Sequence, residues 1–173
     1  FDRAAVSQWA TSTFNAWKSP RPFARFKRIY FDVPQFNERI ETPDKANAFF
    51  LAGMNLQIRD DSPDYAALTI GNFVLGGGFL NSRLATRIRQ KDGLSYAPEN
   101  VLRLESAFGE EVGRILKDGI TAEELTAARA AWLQQRAQSR ANDGAIVGMF
   151  AGQALSGRGM AFEQAMDDRV RFR

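Results

Sequence analysis

Histidine and cysteine are both absent from the 173 residues, and the two absences remove whole classes of chemistry. Without imidazole or thiolate the chain cannot assemble the nitrogen and sulfur donors that hold zinc in its usual sites. No Ser/His pair can form, so Ser95 has no base to take its proton. A chain without cysteine needs no oxidising compartment and tolerates one, which leaves the compartment open. Long apolar runs are missing as well: none approaches the roughly 18 consecutive residues of a membrane-spanning helix. Strong net charge is missing too, because 23 Lys plus Arg against 20 Asp plus Glu leave only +3. Nucleic acid requires a clustered basic face that displaces counterions, and the densest patch here, Arg83, Arg87, Arg89 and Lys91, is small and followed at once by Asp92. No nucleic-acid partner and no membrane span are expected.

With 45% hydrophobic and 25% charged residues, the composition is that of a globular chain. Its length suits one domain, or one lobe of a larger protein, and the chain reads as a single unit over 1–173. It does not begin with Met and reads as starting in mid-protein, so missing targeting signals carry no weight.

Val6, Trp9, Phe14 and Trp17 recur at steps of three to five behind Asp2, a candidate N-cap, which predicts an amphipathic helix over 3–17 ended by Pro20 and Pro22. Residues 26–34 and 47–58 are rich in Phe, Ile, Tyr and Leu with partial alternation and predict strands, with turn chemistry at Thr42-Pro43-Asp44 between them. Ser62 followed by Pro63 and Asp64 marks a helix start, and Tyr65 to Leu75 continues it, mostly buried, to Gly76-Gly77-Gly78. A shorter helix runs from about Ser82 to Gln90 and is stopped by Gly93. Over 100–117, Val101, Leu104, Phe108, Val112, Ile115 and Leu116 share one face, closed by Asp118-Gly119. Thr121 with Glu124 is a capping box that opens a helix carrying Leu125, Ala128, Trp132 and Leu133 inward. Two further helices are predicted over 143–156 and 160–172, separated by Gly157-Arg158-Gly159. Strands joined by a short turn and followed by helices predict an α+β fold, a mainly antiparallel sheet with helices packed on one face.

The most informative stretch is Phe79-Leu-Asn-Ser-Arg-Leu-Ala-Thr-Arg-Ile-Arg-Gln-Lys-Asp-Gly-Leu-Ser-Tyr96, entered through Gly76-Gly77-Gly78, with Arg89 seven residues before Tyr96. Together with Glu41-Thr-Pro-Asp-Lys-Ala-Asn-Ala48, Asn72-Phe-Val-Leu-Gly-Gly-Gly78 and Lys117-Asp-Gly-Ile-Thr-Ala-Glu-Glu-Leu125, it resembles the C-terminal, non-catalytic half of the insulinase (pitrilysin) family of zinc peptidases, bacterial processing-protease-like members. The resemblance spans most of the chain. It implies a lobe like that of mitochondrial processing peptidase, one of two similar α+β halves that close around an extended peptide. The active half bears His-x-x-Glu-His, in which two imidazoles and a distant Glu bind zinc while the motif Glu activates water; none of that can exist here. The resemblance therefore implies no metal ligand and no cofactor in this chain, zinc in a partner half, and a peptide substrate. It assigns Arg89 and Tyr96 to hydrogen bonding of substrate and transition state across the cleft, and it is compatible with a periplasmic setting. It also implies a β-hairpin after Gly-Leu-Ser-Tyr, whereas Tyr96 here runs straight into Ala97-Pro98-Glu99-Asn100. A missing hairpin near 95–98 is expected, and Tyr96 belongs to that hairpin's end if the junction lies just before it. The leading expectation is the substrate-binding half of a zinc endopeptidase. The alternative is a scaffold, since relatives of this domain also serve as inactive core subunits or assembly factors.

Other features have plainer readings. The triple glycine lacks a Gly-Lys-Ser/Thr sequence and comes after a helix, so it reads as a turn and not a phosphate cradle. Arg83 and Arg87 read as a solvated or interfacial helix face. The acidic pairs Asp60-Asp61, Glu110-Glu111 and Asp167-Asp168 read as caps or surface, because neighbouring helix residues point apart. Trp9, Trp17 and Trp132 read as core or interface anchors.

Overall fold

The computed structural model describes residues 2–24, 29–94 and 98–172. The chain divides into two compact units, Phe1–Val33 and Pro34–Arg173.

In the first unit, α1 (Arg3–Phe14) opens where Asp2 accepts hydrogen bonds from the backbone N–H of Ala4 and Ala5. This cap satisfies donors that the first turn cannot. The helix stops at Asn15, short of the predicted residue 17, and none of its residues is buried. Trp9 and Trp17 flank Phe14, each ring centroid 5.9 Å from it. They form a small exposed aromatic cluster and anchor no core within this unit.

The second unit holds α2 (Tyr65–Asn72), α3 (Val101–Asp118), α4 (Ala122–Ser139), α5 (Asp143–Leu155) and α6 (Met160–Phe172). A π-helical turn, Phe73–Gly77, prolongs α2, and a second π-helical segment spans Ala85–Lys91. Among the described residues every regular element is helical and no strand forms. The α+β expectation is thereby corrected. Residues 29–34 and 47–58 run as irregular chain, and 26–28 lie outside the described residues. The reason is physical. Alternating apolar residues favour a strand only when a neighbouring strand takes the backbone N–H and C=O groups and one face is covered. Neither condition is met here: no ladder partner faces these segments among the described residues, and Phe49 and Leu51 are 89% and 90% exposed. Phe50 of that stretch docks, with its ring 5.4 Å from that of Phe108 on α3. The predicted turn is present, with Lys45 N–H donating to the Thr42 carbonyl.

The core lies where α2, α4 and α6 meet. Ala66, Ile70 and Val74 from α2 and its continuation, Ala128 from α4, and Met166 and Val170 from α6 are buried together, with Ile115, Leu125, Trp132 and Leu133 packed against them. Only this one face of α2 is buried, because Tyr65 and Leu68 point outward, so the helix is not mostly buried as predicted. It also begins at Tyr65 and not at Pro63, because the Ser62 carbonyl and hydroxyl are used in a turn with Tyr65 N–H and Arg59 N–H. On α3 the predicted face holds except for Leu116, which is 80% exposed. Gly119, at φ 74°, ends α3 in a conformation that costs glycine little. The capping box at the start of α4 is complete: Glu124 N–H donates to Thr121 Oγ1 at 3.2 Å, and Thr121 N–H to Glu124 Oε2 at 2.9 Å.

Charge seals α4 to α6. Arg136 donates to Asp167 and Glu163, each at 2.5 Å, and Arg140 to Asp167 at 2.6 Å. Glu163 and Asp167 are buried, and a buried carboxylate persists only when its partners replace water. Burial pushes the Asp167 carboxyl up, but the hydrogen bonds from Arg140 and Arg136 outweigh it and hold it below its ordinary value. Gln153 on α5 donates to Glu163 while its own Oε1 is buried without a hydrogen-bond partner.

Candidate functional site

The segment from Gly78 to Leu94 is built as a bracket. A Cβ on Gly78 would lie 2.8 Å from the Phe73 carbonyl oxygen, so only glycine permits the tight exit from the first π turn. Its N–H donates to that same carbonyl, which makes the triple glycine a turn. Ser82, 1% exposed, donates its hydroxyl to the Phe79 carbonyl and accepts from Ala85 N–H, so it both closes the turn and caps the second π segment. The chain then passes through Ala85–Lys91 with i→i+5 bonding, Asp92 N–H donating to the Arg87 carbonyl at 3.0 Å. Such π segments are uncommon and recur at functional sites. Leu94, 2% exposed, anchors the far end.

Arg83 and Arg87 lie on the inner side. Arg83 makes a bidentate pair with Glu124, Nε and Nη2 at 2.7 and 2.6 Å, and also donates to the Gly119 carbonyl. The hydrogen bond from Arg83 holds the Glu124 carboxyl down at about 2. Arg87 donates to Asp92 at 2.5 Å and to Glu110 at 3.0 Å. Its other near neighbour is the buried Glu111, which accepts from Arg114 at 2.8 Å. These pairs floor an open groove of about 650 Å³ between the segment, α3 and the start of α4. Of the two expected readings, a solvated or an interfacial helix face, these ion pairs to α3 and α4 fit the interfacial one. The groove is electrically balanced: Arg83, Arg87, Lys91 and Arg114 meet Asp92, Glu111, Asp118 and Glu124, which leaves no excess charge to recruit an anion.

Arg89 sits in the last turn of the π segment, exposed, outside this groove and its neighbour of about 470 Å³. Among the described residues its guanidinium has no hydrogen-bond or ion-pair partner. Tyr96, the other residue assigned to substrate, lies outside the described residues, as do residues 95–97 of the stretch 95–98 where a missing hairpin was expected. The acidic pairs are explained by arginines: Asp60 binds Arg158 through both oxygens, at 2.9 and 2.6 Å, across 98 positions of sequence. The others engage Arg87, Arg114, Arg136, Arg140 and Arg171. No group of three or more acidic residues that could hold a metal gathers among the described residues. With neither His nor Cys in the sequence, the donor set does not fit a resident zinc ion.

Sequence reasoning missed the Arg83–Glu124 clamp. Glu124 was legible as half of a capping box, and nothing local marks its second use 41 residues from Arg83.

A family model described as the peptidase M16 inactive domain matches residues 1–99, more than half of the chain and inclusive of both Arg89 and Tyr96. The chain belongs to that family. A stretch of 73 residues is 36% identical to the non-peptidase homolog YmxG of Helicobacter pylori. The alignment takes in 42% of this chain and 17% of the length of that relative. Helices α3 to α6 come after the matched residues.

Proposed function

We propose that the chain is the substrate-binding, non-catalytic half of a zinc-dependent metalloendopeptidase, in which Arg89 and Tyr96 hydrogen-bond an extended peptide at a metal site carried by the other half. One contrast carries the reading. Within a single short segment Arg83 and Arg87 are committed to Glu124, Asp92 and Glu110, while Arg89 is exposed and uncommitted among the described residues. A guanidinium without an internal carboxylate keeps its N–H donors for an external acceptor.

Zinc on the partner half supplies polarisation and an activated water. Arg89 donates to the carbonyl oxygen of the bond under attack, where negative charge grows, and Tyr96 offers a phenolic donor to the same peptide. Donors fixed before the reaction stabilise that charge without reorganising. The ion pairs of Arg83 and Arg87 hold the segment rigid, so that Arg89 is presented at a constant place.

The test is zinc-dependent cleavage of a peptide by this chain mixed with a His-x-x-Glu-His partner of the same family. Activity that needs both and falls with Arg89→Ala supports the reading; activity unaffected by Arg89→Ala refutes it. The scaffold reading draws on one observation, the description of YmxG as a non-peptidase homolog. It predicts stable pairing with a family partner and no cleavage.

A further inference from the structure

The small overall charge conceals a division between the two units. Residues 1–33 hold 6 Lys plus Arg against 2 Asp plus Glu, a net +4, and residues 34–173 hold 17 against 18, a net −1. The first unit is therefore the cationic part of the chain, and it is also the part that shows tryptophan to water. Trp9, Phe14 and Trp17 form one row: the Phe14 ring lies 5.9 Å from each indole, edge-on to Trp9 at 84° and tilted by 30° from Trp17. Trp17 comes after the end of α1, and its N–H donates to the Phe14 carbonyl at 2.9 Å, a turn that folds it back toward the other two rings. The rings cover one another incompletely, so that Trp9 is 61%, Phe14 48% and Trp17 78% exposed. Lys18 and Arg21 follow on irregular chain, both exposed and without an ion-pair partner among the described residues. Of the unit's two carboxylates, Asp2 is taken up in capping α1. In the second unit, by contrast, Arg83, Arg87, Arg136, Arg140 and Arg158 are all paired with carboxylates. A contiguous exposed aromatic surface beside unmatched cations marks a site of interaction.

We infer that this face of the first unit docks on an anionic lipid bilayer, with Trp9, Phe14 and Trp17 seated among the headgroups and Lys18 and Arg21 against their phosphates. Charge complementarity selects the partner. A surface of acidic lipids supplies a diffuse negative potential, which unpaired cations on irregular chain can meet without fixed geometry. Just beneath it lies the half-wet layer that suits an indole, whose body is apolar and whose N–H needs an acceptor. Nucleic acid also offers phosphate, but its affinity rises with the number of phosphates neutralised, and two described cations beside three rings answer few of them. The chain would lie on the membrane and not cross it, since among the described residues no helix is long and apolar enough to do so. Arg89 belongs to the second unit, so the inference stands apart from the peptide contact proposed there.

The test mixes the full chain with vesicles of phosphatidylcholine alone, or of phosphatidylcholine with phosphatidylglycerol, and follows sedimentation and tryptophan emission. Trp132 is packed against the core of the second unit, so a blue shift on binding reports Trp9 and Trp17. The expected result is sedimentation with the acidic vesicles only, a blue-shifted emission, and release as salt is raised from about 0.1 M to about 0.5 M, because ions screen the surface potential. Lys18→Gln combined with Arg21→Gln should weaken binding by about thirtyfold, roughly fivefold for each charge near the surface. Trp9→Ser combined with Trp17→Ser should remove the blue shift and weaken binding by at least about tenfold, through lost apolar burial. No residue of α1 is buried, so both double variants should melt as the wild type does. A chain that ignores acidic vesicles, or binds neutral ones equally well, overturns the inference. Unchanged binding in either double variant also overturns it, because the contact then lies elsewhere. A lower melting temperature in the tryptophan variant overturns it as well, since those rings would be packing elements. Tighter binding of a fluorescein-labelled single-stranded oligonucleotide than of the acidic vesicles would overturn it in favour of nucleic acid.

Discussion

Two arginine clusters of the second unit are made from the same residue types and end in opposite states. Between α4 and α6, Arg136 and Arg140 meet Glu163 and Asp167, two cations against two buried carboxylates, and each of the four is engaged. Around the π segment, Arg83 and Arg87 are likewise engaged, but Arg89 and Lys91 at its end are exposed and unpaired among the described residues. The first cluster closes a helix interface and the second stops short of closing. A fold that needed only cohesion would gain from matching every cation. An Arg89 left unmatched at the end of a braced segment is what the proposed peptide contact calls for, and on that proposal substitutions in the two clusters should have opposite consequences.

The largest expected effect is functional and belongs to the open cluster. Arg89→Ala should lower turnover of the reconstituted pair by about 10²–10³, roughly 3–4 kcal/mol of transition-state stabilisation, with thermal stability unchanged because the side chain is exposed. Arg89→Lys should fall between, since an ammonium cannot reproduce a guanidinium's forked donors. Equal turnover in all three proteins would erase the distinction between the clusters.

The closed cluster should answer the other way. Asp167→Ala strands Arg140 and leaves Arg136 with Glu163 alone, and should cost about 2–3 kcal/mol by urea unfolding, somewhat less than a fully dry ion pair because both arginines keep some contact with water. Peptide affinity per folded molecule should be untouched. A destabilisation below about 0.5 kcal/mol, the usual range of surface changes, would show that the network does not seal α4 to α6.

Acid should loosen the tie that orients the open cluster. The Glu124 carboxyl is held at about 2 by Arg83, against an ordinary value of 4.5, so the folded protein keeps it ionised where the unfolded chain takes up a proton. Its contribution is complete above about pH 4.5 and is lost as pH falls toward 2. With the Glu124 side chain 32% exposed, screening leaves roughly 1–2 kcal/mol. Melting temperatures recorded from about pH 6 to about pH 2.5 should therefore fall less steeply for Glu124→Gln than for the wild type; parallel curves would contradict the clamp. Smallest is the cap: Thr121→Ala should cost about 1 kcal/mol, seen as a lower urea midpoint with no change in slope.

The contrast between the clusters also bears on how much could be read from residues alone. Helices α1, α3, α4, α5 and α6 were legible because their signals are local: Asp2 before α1, a 3.6-residue apolar stripe on α3, Thr121 and Glu124 at α4, and glycines between the rest. The strands failed because theirs are not. Residues 47–58 carry a strand-like pattern, but a pattern becomes a strand only through a partner, and whether one exists is decided elsewhere in the molecule. The same limit hid the ion pairs. Nothing near Arg83 announces Glu124, and nothing near Asp60 announces Arg158. The role proposed for Arg89 comes only from family resemblance; composition and spacing would have placed it with Arg83 and Arg87. The positive φ of Phe79, 54°, had no sequence signal, since triple glycine suggests that the left-handed residue would be a glycine.

The most direct test of the central claim titrates the zinc-bearing family partner with this chain and monitors peptide cleavage. The account predicts negligible cleavage by the partner alone, a saturable rise with the wild-type chain, and, with Arg89→Ala, saturation at the same concentration but on a plateau lower by about 10²–10³. Equal plateaus for the wild type and Arg89→Ala would contradict it.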